Sequence, residues 1–424
     1  MREMTMTGSE LPLEDWEVLV EDWEVLDLLS SLVDKSLVVA EPSGEGTRYR
    51  LLETVRQYGR ERLADSGEGE AAQGRHLAYY LALVEEAEPH LRGAEQIVWL
   101  NRLEVEHDNL RLALRLALET SDRGGRADAA LSLCGKLFIF WSVRGHLAEG
   151  REWCAEALAL PFPSSAPAEA ASSLRASVLY AAAGLASSQG DYEAARGFLE
   201  QSGTLCQELG YKQDSASVFH GLGDLANNQG DYEVARGFYE QSLPLCREMG
   251  SKQGVAYALL SLGNVASSQV DYNAAQSFFE QGQTLFQEIG HKRGLADALG
   301  GLGVLARDQG DYAAARSFYE QCLTLRWELG DKRLVAITLG NLGDLAGKLI
   351  QWERRTGLYG AMGALRVEIG APLAPIEQAD HDAAVAEARA ALGEVAFAAA
   401  WDKGQAMTLD EAVEYALTPL QQNP

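Results

Sequence analysis

The sequence predicts an all-α chain built mainly as an α-solenoid, a superhelix of helical hairpins. Three observations predict it. A motif of about forty residues recurs: GDYEAARGFLEQSGTLCQELG begins at Gly190, GDYEVARGFYEQSLPLCREMG at Gly230, VDYNAAQSFFEQGQTLFQEIG at Val270 and GDYAAARSFYEQCLTLRWELG at Gly310. A fixed period of this size means stacked supersecondary units, each covering the apolar face of the next. Within each copy the apolar residues step by three and four, the spacing of one helix face. Finally, 47% apolar residues over 424 positions can fill a long core.

The N-terminal part reads differently. Residues 25–65 give a helix, a strand, a Gly/Ser turn, a strand and a helix, the order of the latter part of a winged helix. Just upstream, EDWEVL occurs at Glu14 and again at Glu21, with Trp16, Leu19, Trp23 and Leu26 at heptad spacing. That copy either extends a helix or marks a sequence duplication. The next hundred residues carry helical patterns. Among them GHLAEGREWCAEALAL at Gly145 aligns with the copy at Gly190, so an earlier unit is expected before the Pro161–Pro167 linker.

Each forty-residue unit divides into two helices. In the second full copy the first helix is expected from about Ser217 to Gln229, and Gly230 suits the left-handed residue that ends it. Asp231 follows as an N-cap whose carboxylate can accept free amide hydrogens, and Asp191, Asp271 and Asp311 hold the same place. Tyr232, Ala235, Tyr239, Ser242, Cys246 and Met249 then share one face of the second helix, which Gly250 closes; Gly210, Gly290 and Gly330 match it. Small residues at Ala235 and Ser242 allow close approach, and Phe238 and Tyr239 fill the space between units. Downstream, QWERRTGLYGAMGAL keeps the phase after Ile350. Beyond Pro372–Pro375 come new helical patterns from Glu377 to Trp401, and Thr408-Leu-Asp-Glu411 reads as a capping box. This tail is expected to cap the array.

Leu222-Gly223, Gln229-Gly230-Asp231-Tyr232, Ala235, Tyr239 and Ser242-Leu243 resemble the tetratricopeptide (TPR) signature. It returns as Leu262-Gly263 with Asp271-Tyr272, Ala275 and Phe279, then as Leu302-Gly303 with Asp311-Tyr312, Ala315 and Tyr319; Leu342-Gly343 opens a further unit. The resemblance covers roughly 177–360. The sequence departs from it in period, about forty against about 34, and the extra residues are expected in the second helix and its loop. Ala226 stands where the family has an aromatic, Val270 replaces the turn glycine, Pro244 lies inside a second helix, and Ala182-Ala183 replaces Leu-Gly.

The flanks extend the resemblance. LVDKSLV…RYRLLETVRQYGRERL, the helical stretch after it and the C-terminal tail resemble bacterial STAND-type signalling ATPases, including regulators of the MalT and LuxR kind. There a nucleotide-binding domain precedes the winged helix, and TPR-like repeats act as the inducer sensor. This sequence contains no GxxxxGK[ST]. Its nearest string, Gly343 to Leu349, is one residue short and lies in a repeat helix, so ATP hydrolysis is not implied. Nor is a C-terminal DNA-binding helix-turn-helix carried over from the resemblance.

Composition narrows the function classes. The net charge of -26 opposes nucleic acid and anionic membrane as bulk partners. The sequence shows no secretory signal and no run of eighteen apolar residues, so a cytoplasmic chain that does not span the membrane is expected. Cys134, Cys154, Cys206, Cys246 and Cys322 are widely spaced and never form CxxC, so buried thiols are expected rather than disulfides or metal ligands.

Local motifs that suggest chemistry read better as packing. Gly221 to Ala226 and Gly301 to Ala306 fit GxGxxA, but inside a repeat helix rather than after a strand. His107 is flanked by Glu106 and Asp108, yet adjacent helical residues point apart and there is no HExxH, so no metal and no cofactor are expected. Arg48, Arg50, Arg56, Arg60 and Arg62 form one basic stretch, read first as a set of intramolecular partners for acidic groups and second as phosphate contacts.

What varies between copies is the inner face of the first helices. There the TPR resemblance places a candidate ligand groove of Tyr180, Ser217, His220, Asp224, Asn227, Asn228, Tyr257, Asn264, Ser268, Arg307, Asp308, Asp344 and Lys348. The expected organisation is a partial winged helix (1–66), a helical linker with TPR-like hairpins (67–165), a TPR array (166–350) and a helical cap (351–424). The expected function is a non-catalytic sensor or scaffold derived from a STAND-type regulator. It would bind a protein, a peptide or a small inducer, with a separate nucleotide-binding domain as a further candidate partner. The alternative is a transcription regulator contacting DNA through the winged-helix segment.

Overall fold

The computed structural model describes residues 22–43, 46–92, 94–119, 126–160, 168–373 and 375–418. Trp16 and Leu19 of the doubled EDWEVL segment and the Pro161–Pro167 linker lie outside them. The chain divides between Arg75 and His76 into two compact units.

The first unit has the expected element order: α1 (Asp22–Asp34), β1 (Val38–Ser43), β2 (Gly46–Leu51) and α2 (Glu53–Ser66). The strands form an antiparallel hairpin in the register Val38↔Leu51 and Ala40↔Tyr49. Val38 is buried, whereas Leu26, Leu28, Tyr58 and both Leu51 and Leu52 are exposed. The basic stretch is partly neutralised locally. Arg50 lies 3.3 Å from Glu41 and Arg62 lies 3.4 Å from Asp65, while Arg56 pairs with Glu53.

α3 (Gly69–His90) crosses the division. The second unit continues with α4 (Gln96–Val105), α5 (His107–Glu119), α6 (Arg126–Arg144), α7 (Leu147–Ala159), α8 (Ala168–Ser188) and α9 (Tyr192–Leu209). Four hairpins in strict phase follow: α10 (Lys212–Asn228) with α11 (Tyr232–Glu248), α12 (Lys252–Ser268) with α13 (Tyr272–Glu288), α14 (Lys292–Asp308) with α15 (Tyr312–Glu328), and α16 (Lys332–Lys348) with α17 (Trp352–Ile369). α18 (Pro375–Leu392), α19 (Glu394–Gln405) and α20 (Leu409–Leu417) end the described chain.

The long period is shared differently from the expectation. Helices α10 to α16 all have 17 residues, so the first helix of each hairpin is lengthened as much as the second. The cause is a second set of caps. Ser251 Oγ, His291 Nδ1 and Asp331 Oδ1 accept the amides of Gly254, Gly294 and Leu334 at 3.1, 2.9 and 3.0 Å, and start α12, α14 and α16 early. Within the hairpins, Asp191, Asp271 and Asp311 accept from Ala194, Ala274 and Ala314 as expected. Asp231 does not; its copy carries Val234 where the others have alanine. Helix α11 runs unbroken through Pro244.

The constant residues are packing. A Cβ on Gly223, Gly263, Gly303 or Gly343 would come within 2.5 to 2.7 Å of the ring of Tyr239, Phe279, Tyr319 or Tyr359 respectively, so glycine lets each second helix seat its aromatic ring against the first. The GxGxxA strings thus serve helix packing. At the C-terminal end, Thr408 and Glu411 form the expected capping box, and Ala384, Ala412, Val413 and Ala416 share a core with Leu358, Tyr359 and Met362.

Within the second unit the coil meets itself. Leu329, Ile369 and Ala371 join the buried cluster of α6 and α7, which includes Phe140, Trp141 and Leu147. A Cβ on Gly145, after α6, would stand 3.0 Å from Ile369. This closure shapes the site.

Candidate ligand cavity

The inner face is a cavity of about 660 Å³. Five successive first helices supply one wall: Ser177 and Tyr180 from α8, Ser217, His220 and Asp224 from α10, Gln253 and Tyr257 from α12, Arg293 and Asp297 from α14, and Arg333 from α16. The opposite wall comes from Glu88, Leu91, Arg92 and Gln96 around the α3–α4 connection and from Ser132, Lys136 and Phe138 of α6. This second wall departs from the expected open groove. Gln96, 1% exposed, holds it in place: Nε2 donates to the Leu91 carbonyl at 2.6 Å, and Oε1 accepts the Arg293 amide at 3.3 Å.

The structure therefore gathers Tyr180, Ser217, His220, Asp224 and Tyr257 around one space. It does not bring the other sequence-derived candidates there. Asn227 and Asn228, Asn264 and Ser268, Arg307 and Asp308, and Asp344 and Lys348 sit in the C-terminal halves of α10, α12, α14 and α16, and none lines the cavity. Arg307 instead bridges Asp308 at 2.9 Å and Asp344 at 3.1 Å, an internal network between neighbouring hairpins.

The cavity residues are chemically polarised. Burial, and next the charge of Asp224, raises the Tyr180 phenol; burial, and next Asp297, raises that of Tyr257. Both stay protonated donors at neutral pH. His291, 2% exposed, is pushed down to about 4 by burial and by the charge of Arg293, so it is a neutral cap rather than a cation. Arg293 and Arg333 were not among the sequence-derived candidates. Their signal was present: the residue after the lysine that opens each first helix is Gln213, Gln253, Arg293 and Arg333 in successive copies. It lies in the first turn, ahead of the helix start that the periodicity indicates.

Elsewhere, the fold pairs His107 not with its sequence neighbours but with Glu104 and His146, three groups whose ligand atoms lie within 4.8 Å of one another. Glu104 is 3.9 Å from Arg144, and Glu149, 3.1 Å from His107, is 2.5 Å from Arg111. Each of these carboxylates thus has a guanidinium within 4 Å. All five cysteines are free and buried. Among the described residues, no helix is long and apolar enough to cross a membrane.

Comparison with known proteins agrees with this architecture. A tetratricopeptide-repeat family profile matches residues 174–248, 214–288, 254–326 and 294–353, and a winged helix-turn-helix domain profile matches 17–64. A protein of Mycobacterium tuberculosis (strain ATCC 25618 / H37Rv) named as an HTH-type transcriptional regulator is 44% identical over 128 residues, 30% of this chain. The match spans 14% of that relative's length. Among solved structures, a Rap protein complexed with competence and sporulation factor is similar over 82% of this chain and 99% of its own, with 13% identity and a TM-score of 0.51. A STAND protein with a tetratricopeptide repeat sensor from Pyrococcus horikoshii aligns over 88% of this chain and 59% of its own, with 14% identity and a TM-score of 0.44. At 13% identity the likeness to the Rap protein is one of fold.

Proposed function

From a chain that carries tetratricopeptide repeats and an N-terminal winged helix-turn-helix domain, we propose a non-catalytic sensor of a signalling or transcription regulator, one that takes its ligand in the second unit's cavity. The observation that carries this reading is the convergence of Tyr180, Ser217, His220, Asp224 and Tyr257, residues that differ between copies of an otherwise constant repeat, on one polar space. Its volume suits a small inducer or the end of a peptide. A bound ligand has a precedent in the fold, since the Rap protein was solved with competence and sporulation factor. The division into winged helix, helical linker, array and cap serves this reading: the array senses and the winged-helix segment relays.

The test is a thermal-shift screen of peptides and small metabolites on the wild type and on Ser217→Trp. Tyr257 holds the equivalent position one repeat later, so an aromatic ring there is compatible with the hairpin. The expected result is a ligand that stabilises the wild type and not the variant; ligands that stabilise both alike would count against the cavity.

DNA contact through the winged-helix segment is the second reading, favoured by the regulator-named relatives and opposed by the pairing of Arg50, Arg56 and Arg62 with acidic neighbours. A gel shift at about 50 mM salt decides it: absence of a complex there removes it.

A further inference from the structure

The first turns of α12, α14 and α16 all reach the cavity, through Gln253, Arg293 and Arg333 at one repeat position. Helix N-termini carry partial positive charge, although here the Gly254, Gly294 and Leu334 amides are taken by the caps and the Arg293 amide by Gln96. Here two of the three also carry a guanidinium, and Arg92 lines the cavity from the α3–α4 connection.

The two repeat arginines differ in how they are compensated. The Arg293 Nε lies 3.6 Å from Oδ2 of the fully buried Asp331. Burial opposes its charge, but Asp331, Tyr257 and Asp297 outweigh that and raise its pKa. Arg333 has no such partner. Its Nε is buried without a hydrogen bond, and among the described residues it makes no ion pair. Burial lowers its pKa, and Asp331 offsets this only in part. An arginine stays charged in a protein, so a half-buried guanidinium stands here with unused donors. Lys136 is engaged by Glu85 and Glu88, at 3.3 and 3.9 Å, and Asp297 is taken by Arg326 at 2.8 Å. Asp224, held by the Tyr239 hydroxyl, is the one lining carboxylate with no arginine or lysine partner, against Arg92, Arg293 and Arg333, so the balance facing the space is positive in a chain whose net charge is -26.

We propose that the cavity takes a small anionic ligand whose carboxylate or phosphate group is received by the Arg333 guanidinium, with Arg293, Arg92 and the helix N-termini around it. A guanidinium fork matches either oxyanion in bidentate geometry. The phenols of Tyr180 and Tyr257 add donors for further ligand oxygens. The proposal rests on the reading of this cavity as the ligand site and names its chemistry.

The experiment is a thermal-shift titration of the full chain with potassium citrate and with inorganic phosphate, against potassium chloride at matched ionic strength. Wild type, Arg333→Gln and Ser217→Trp are compared. Glutamine is tolerated at this position, since Gln253 occupies it in an earlier copy. The wild type is expected to show a saturable rise with at least one of the two anions; which one separates the carboxylate from the phosphate source. Arg333→Gln is expected to bind that anion about tenfold or more weakly and, without anion, to melt no lower than the wild type, because a half-buried unpaired charge is gone. Excluded-solute stabilisation raises both proteins alike and does not saturate. Equal shifts in wild type and Arg333→Gln, or no anion-specific rise in the wild type, overturn the anion assignment. If that happens while an uncharged ligand binds the wild type and not Ser217→Trp, the cavity reading stands alone; if Ser217→Trp keeps every ligand, that reading falls as well.

Discussion

The Tyr239 hydroxyl donates to Oδ1 of Asp224 at 2.7 Å, and so the repeat's constant aromatic fixes a carboxylate that lines the cavity. The same pair returns as Tyr359 and Asp344. Between them the pairing is broken in two ways: Phe279 and Asn264 hold the two positions in one copy, and Tyr319 has Val304 in place of the acid, which leaves its buried hydroxyl without a hydrogen-bond partner among the described residues. Tyr319→Phe is therefore expected to leave stability unchanged or raise it by up to about 1 kcal/mol. Tyr239→Phe should lower it by about 1–2 kcal/mol. Urea melts of both variants check this, and equal losses would contradict it.

Val270 and Ile350 occupy the turn position that glycine fills at Gly190, Gly230 and Gly310, with φ of 65° and 58°. Branched side chains rarely adopt that conformation, and both are mostly exposed, at 66% and 73%, so little burial is lost on their removal. Val270→Gly and Ile350→Gly should each stabilise the fold by on the order of 1 kcal/mol, net of the entropy glycine adds to the unfolded chain. A fall in Tm for either would show that the turn tolerates branching at no cost.

Gly303 lies under the Tyr319 ring, where an added Cβ would be 2.5 Å from a ring carbon. Gly303→Ala is expected to cost about 1–3 kcal/mol through overpacking, readable as a lower urea midpoint with unchanged slope. An unaltered midpoint would mean the hairpin can open without penalty.

His291 gives the cavity wall a pH dependence. Its pKa is lowered to about 4 in the folded chain by burial and by Arg293, from an unfolded value near 6.5. Between those values the unfolded chain binds the proton and the folded chain does not. The contribution is therefore fully present above about pH 6.5 and is lost as pH falls toward 4, by at most about 1.4 kcal/mol per pH unit. His291→Ser keeps a capping side chain of the kind Ser251 supplies and should flatten the stability profile in that window. An identical profile in the variant would remove His291 as its source.

The fold was legible in the sequence to the extent that it is local. Gly230, Asp271 and Thr408 each act on the backbone within a few residues, and their turn and cap roles follow from residue type. The earlier starts of α12, α14 and α16 were missed because Ser251, His291 and Asp331 are three different residues doing one job. The site was legible only along the repeat. Tyr180 and Tyr257 follow from the TPR resemblance carried along the repeat, but Gln96 reaches Arg293 across 197 positions, and no local pattern announces such a contact. Asn228 and Lys348 share the repeat's inner face but end α10 and α16, beyond where the cavity stops, and residue type along the repeat does not mark that limit.

The most direct test of the cavity as the ligand site is calorimetric titration of one stabilising ligand into wild type, Ser217→Trp and Asn228→Ala. Ser217 lines the cavity and Asn228 lies outside it. Loss of binding in Ser217→Trp with wild-type affinity in Asn228→Ala is the predicted result. Wild-type binding by Ser217→Trp, or loss in Asn228→Ala, would contradict it.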